Sequence, residues 1–223
     1  VNILTEEAKS KFIIDSEFVE APEGIVVKNW VFDNEPLFKS KPRKKKLQHL
    51  VLHETAGRSA EGCKGTLLRK KHGVQLIMDR NGLISCHGDL ATDVMVHGNQ
   101  LNGTSIGIEV VNPYAPKLAK RMDDIKMIPA EWWTWCPDKK DRRYVLPTDK
   151  QLQALRILIP FLCKELGIPF EFPTKDLNRK NRKVKNWMLR GRPKPGIVAH
   201  RDYSKHADGR YLLEDLMENA VLI

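Results

Sequence analysis

Two short apolar runs, LQHLVLHETAG at 47–57 and GIVAHRD at 196–202, each carry a histidine at the point where the apolar stretch ends. Branched residues and alternation make both runs strands of a sheet interior, the first ending at a Gly turn. Neighbouring strands bring their ends to a common point, so His53 and His200 can share one cleft. Asp208 follows His200 by eight residues, after a loop that can fold back. Two neutral imidazoles and a carboxylate suit a tetrahedral Zn²⁺ whose fourth position is left to water, the arrangement of a catalytic zinc. Spacing alone would favour three unrelated residues, and HETAG is not an HExxH zinc helix, because position 57 is Gly and the segment reads as strand.

The remaining pattern predicts an α/β fold: a single domain with a mixed, twisted sheet flanked by helices and a zinc cleft at the strand ends. The chain has 223 residues, 41% of them hydrophobic, enough for a sizeable core without disulfide staples. GVQLIMDRNGLISC at 73–86 predicts two strands around an Asp79–Gly82 turn, and TSIGIEVVN at 104–112 a further strand. Helices are expected at 60–71, 148–166 and 211–220. The second has a capping box from Thr148 and Gln151 and an apolar stripe of Leu152, Leu155, Ile159, Leu162 and Leu166. Pro160 inside that stripe predicts a kink or an early break, and Gly167 a stop. Residues 1–46 are expected to form an N-terminal arm and basic linker, and 47–223 the main domain, with 113–147 as an insertion. Trp132, Trp133 and Trp135 in that insertion either line a saccharide or peptide groove or pack its interior.

Charge is unevenly placed. The net charge is +10, and 13 basic residues lie in two stretches, KPRKKK at 41–46 and NRKNRKVKNWMLRGRPK at 178–194, leaving the rest close to neutral. Such runs suit an anionic polymer, nucleic acid or an anionic membrane face, or a merely solvated loop. A nucleic-acid partner would explain the charge and nothing about His53 and His200. No apolar run reaches the length of a membrane span, and the first residues lack the basic start and apolar stretch of a signal peptide. Cys63, Cys86, Cys136 and Cys163 form no CxxC pair, and buried free thiols are expected rather than two disulfides.

Four pieces in order, HETA at 53–56, VQLIMDRNG at 74–82, VHGNQLNGTSIGIEV at 96–110 and AHRD with Asp208, resemble the zinc-dependent N-acetylmuramoyl-L-alanine amidases. That family includes phage T7 lysozyme, bacterial AmpD-like enzymes and animal peptidoglycan recognition proteins, and the resemblance covers roughly 47–220. It implies that His53, His200 and Asp208 hold one Zn²⁺, that Glu109 moves the proton, and that His206 stabilises the oxyanion. By the same resemblance His97, Asn102 and Thr55 are substrate-cleft residues, although a loop-stabilising hydrogen bond suits His97 equally. The implied reaction is cleavage of the amide between N-acetylmuramic acid and L-alanine in peptidoglycan, and the rival is a non-catalytic recognition module. The sequence departs from the family in carrying His206 where catalytic branches have Lys, and Val74 where the T7 type has a catalytic Tyr. Basic stretches beside the cleft would then guide the protein onto anionic wall polymers. The Asp208 and His206 pattern, with no leader in the chain, points to a phage-type endolysin. His49, four residues before His53, is expected to be structural, and His72 and His87 to sit at the surface or in turns.

Overall fold

The structure, a computed structural model, describes residues 10–32, 37–129, 143–174, 193–204 and 208–220. Its strands and helices run in chain order as β1 (Phe12–Ile14), β2 (Glu17–Val19), β3 (Val27–Asn29), β4 (Lys41–Pro42), β5 (His49–Glu54), α1 (Ala60–Arg69), β6 (Leu76–Met78), β7 (Ile84–Cys86), β8 (Asp93–Val94), β9 (Ser105–Val110), β10 (Met127–Pro129), β11 (Arg143–Val145), α2 (Asp149–Leu166), β12 (Gly196–Ala199) and α3 (Arg210–Asn219). Six strands form one sheet in the order β12-β5-β9-β6-β7-β3. The β6/β7 pair is antiparallel and the other four pairings are parallel, so the sheet is mixed, as the sequence predicts.

Side chains alternate across a strand, and here the alternation separates core from site. Leu50 and Leu52 of β5, Ile106, Ile108 and Val110 of β9, and Ile197 and Ala199 of β12 join Leu155, Leu158, Ile159 and Leu162 of α2 and Leu212 and Leu213 of α3 in the largest apolar cluster. Val51, His53, Ser105, Gly107, Glu109 and Val198 occupy the alternate positions and therefore face the other way. Burial of the α2/α3 face leaves a one-residue slip no alternative register, since it would turn His53 and Glu109 into that core.

Thr148 caps α2 by accepting from Gln151 N, and the Gln151 side chain returns the bond to the cap, completing the box. Gly167 closes the helix in the left-handed conformation. No break occurs at Pro160: α2 is continuous to Leu166, with Pro160 buried in it. Apolar contacts on both sides of the proline, Leu155 and Leu158 before it and Leu162 after it, hold the helix on the sheet despite the lost backbone bond.

Parts of the N-terminal stretch join the main sheet, and one histidine expected at the surface is buried. The N-terminal stretch supplies β3, which pairs with β7 and makes it an edge of the main sheet. Arg43 of the basic linker donates to the carbonyls of Ala91, Asp93 and Ser105 at 2.7–3.0 Å, so this cation clamps the linker to the domain. His87 is not a surface residue: it is 2% exposed, its ring packs against Trp30 and Phe38, and burial and nearby Lys64 push its pKa down to about 3. His72 is exposed as expected. Cys63, Cys86 and Cys163 are buried free thiols. Residues 113–147 contribute the β10/β11 pair. The three tryptophans of the insertion, Cys136, His206 and residues 178–192 of the second basic run lie outside the described residues. No helix among the described residues is long and apolar enough to cross a membrane.

Candidate metal centre

Register assembles the centre. His53 pairs directly with Glu109 across β5 and β9, and Leu52 pairs with Ala199, which places His200 beside His53 where β12 ends. The chain then makes one short helical turn over His200–Asp202 and returns to Asp208, whose carbonyl accepts from Arg201 N at 3.1 Å. Gly209 completes the return at φ +86°, and a Cβ there would stand 2.0 Å from the Leu52 carbonyl oxygen, so only glycine lets Asp208 approach β5.

The result is a convergence of donors. His200 Nδ1 lies 3.1 Å and His53 Nδ1 3.4 Å from Asp208 Oδ2, and one donor atom from each residue lies within 4.8 Å of the others. All three side chains are buried. Burial would raise the Asp208 carboxyl, but its hydrogen bonds with the two imidazoles outweigh this and hold it well below the usual carboxylate range. Two imidazole nitrogens and a carboxylate held this close match the donor set of a three-ligand divalent-metal site.

Carboxylates crowd the same region. Burial, then Asp208 and Glu54, push Glu109 up to about 8. Tyr114 feels the same three acids, and burial first and their charge second push its phenol up to about 12. A divalent cation among these groups would relieve their mutual repulsion.

Other residues singled out in the sequence are placed less directly. His97 is buried next to the centre, its Nδ1 3.2 Å from His53 Nε2 and its Nε2 3.2 Å from Ser105 Oγ. Burial, then the neighbouring His53, His200 and Arg43, lower its pKa well below the ordinary value. Asn102 Oδ1 accepts from the backbone N–H groups of His97 and Gly98 at 3.0 and 2.6 Å. Thr55 Oγ1 accepts from Gly57 N at 3.0 Å, bending the chain after β5. His49 is fully buried, with Nε2 3.2 Å from the Pro193 carbonyl oxygen.

Glu54 escapes the sequence reading. It is 5% exposed and accepts from the Tyr144 hydroxyl, from Asn112 Nδ2 at 2.9 Å and from Gly209 N at 2.9 Å. Burial pushes its pKa up to about 7 against these three bonds. Its adjacency to His53 was visible, but its partners lie 58 to 155 residues away.

The fold and this cluster define an α/β protein that gathers a His/His/Asp donor set where the strands of a mixed sheet end. The family model described as N-acetylmuramoyl-L-alanine amidase matches residues 43–210, and the chain belongs to that family. Its broad function is therefore peptidoglycan cleavage or recognition. Similar folds include the N-acetylmuramoyl-L-alanine amidase LysC from Clostridium intestinale, 11% identical, covering 84% of this chain and 89% of that one at a TM-score of 0.51. Another is the Drosophila peptidoglycan recognition protein SD, 13% identical, covering 87% and 94% at a TM-score of 0.50. No curated protein matches the sequence.

Proposed function

We propose that the chain is a zinc-dependent amidase that cleaves the bond between the lactyl group of N-acetylmuramic acid and L-alanine. The observation that carries this reading is the convergence of His53 Nδ1, His200 Nδ1 and Asp208 Oδ2 beside Glu109, the register partner of His53. Zinc held by His53, His200 and Asp208 would polarise the scissile carbonyl and lower the pKa of water to about 7.

Glu109 takes the proton from the attacking water and passes it to the departing alanine nitrogen as the C–N bond breaks. Burial and the neighbouring acids raise its pKa in the metal-free chain, and a bound divalent cation would draw it back down toward the range where a carboxyl accepts and returns a proton at little cost. His206 is assigned to the developing oxyanion, which it stabilises best as a cation. Asn102 and Thr55 are assigned to the substrate cleft: each uses an oxygen to shape its own loop, and Asn102 has an amide NH₂ to offer a substrate carbonyl. The basic stretches supply attraction to anionic wall polymers.

Mass spectrometry of fragments released from purified peptidoglycan tests this directly. Stem peptides with a new N-terminal L-alanine are expected. Stoichiometric zinc and wall binding without release would overturn the enzyme and leave a recognition module.

A further inference from the structure

The order of protons around His53 can be followed from one end of a hydrogen-bond chain. Ser105 Oγ lies 2.8 Å from the Leu101 carbonyl oxygen, which can only accept, so the single hydroxyl hydrogen points there. Ser105 Oγ is then an acceptor toward His97 Nε2 at 3.2 Å, and that nitrogen must carry the ring hydrogen. An uncharged imidazole has one N–H, so His97 Nδ1 is bare and accepts from His53 Nε2, also at 3.2 Å. With its Nε2 hydrogen committed to His97, His53 has Nδ1 left to face Asp208 Oδ2 at 3.4 Å, the nitrogen that hydrogen-bonds the carboxylate in the metal-free chain and gives up that hydrogen when a metal takes its place.

Sterics support the same chain. A Cβ on residue 107 would stand 2.6 Å from His97 Nδ1 and 2.8 Å from its Cγ, so the His97 ring lies against the bare backbone of β9. The His53 and His97 rings meet edge to face at 80°. The His97 main chain is pinned by Asn102 Oδ1.

We infer that Ser105 and His97 are positioning residues that, with Gly107 making room, fix the tautomer of His53 so that Nδ1 is the metal-binding atom. His97 thereby acts through His53. The inference rests on the metal reading of the site. Outer partners of this kind typically change metal affinity by about 10–100-fold.

Two measurements on the full chain test it. In the metal-free protein, ¹⁵N NMR of the histidine rings should show His97 as a single Nε2–H tautomer, and Ser105→Ala should populate the Nδ1–H form. Chelator competition should give zinc affinity weakened about 10-fold or more in Ser105→Ala and in Gly107→Ala. Ser85→Ala removes another buried serine–histidine bond, Ser85 Oγ to His87 Nε2 at 2.9 Å, and should leave zinc affinity unchanged. A wild-type His97 carrying its proton on Nδ1, or zinc binding unaltered in both Ser105→Ala and Gly107→Ala, would overturn the inference while the metal reading stands. Failure of the wild type to bind zinc would overturn the metal reading itself.

Discussion

Gly209 donates its backbone N–H to Glu54 Oε2 at 2.9 Å, tying the residue after Asp208 to the residue after His53. Tyr144 and Asn112 share the same carboxylate, so the Asp208 loop, β5 and the region after β9 meet at one buried acid. Glu54→Ala leaves three buried donors without their acceptor and should cost about 3 kcal/mol or more in chemical denaturation. Glu54→Gln, which keeps the shape and an acceptor oxygen, should cost less. Gly209→Ala should be worse than either for zinc affinity, because its Cβ displaces Asp208 from β5.

Burial of Glu109 costs stability once the carboxyl ionises. Its pKa in the fold, about 8, exceeds the ordinary carboxylate value, so the folded chain favours the protonated form. The destabilisation is absent at low pH, where both folded and unfolded chains hold the proton, grows as pH rises past the ordinary value, and is complete above about 8. Glu109→Gln should therefore raise the Tm of the metal-free protein near about pH 9, by ~2–4 °C per kcal/mol recovered, and change it little near about pH 4. The same variant should lower the cleavage rate by about 10²–10⁴-fold.

His206 sets the alkaline limit if it works as a cation. An imidazolium is lost at lower pH than an ammonium, and a nearby divalent metal lowers its pKa further. Activity of the wild type should fall at lower pH than that of His206→Lys; superimposable pH–rate profiles for the two would remove the cationic role.

Zinc removal should end peptide release, and readdition should restore it. A metal that binds the folded site alone stabilises it, so chelation should also lower stability, by about 4 kcal/mol when free zinc is about 1,000-fold above its Kd. His200→Ala should lose stoichiometric zinc in metal analysis while keeping most of the fold.

Neutralising four basic residues within 178–194 should weaken wall binding at low salt and leave cleavage of a small soluble muropeptide unchanged. Equal loss with both substrates would place that run in the site itself.

Local patterns carried most of the legible fold. Alternation in LVLHE and SIGIE, the capping box at Thr148 and the apolar stripe behind it depend on residues within a few positions of one another, and each appears as expected. Pro160 departs from that rule because a local penalty yields to apolar packing on both sides of it. His87 departs for the same reason: the polarity of its loop says little once Trp30 and Phe38 fold over it.

By itself the sequence determined that His53, Glu109 and His200 stand at or near strand ends, because the apolar, branched runs that form β5, β9 and β12 stop within one residue of them. Only the tertiary structure decided the parts played by Glu54, His97, Ser105 and Gly107. Their partners are set by how β5 pairs with β9 and by how the chain returns at Asp208 and Gly209. Those are contacts between distant segments, and no spacing along the chain encodes them.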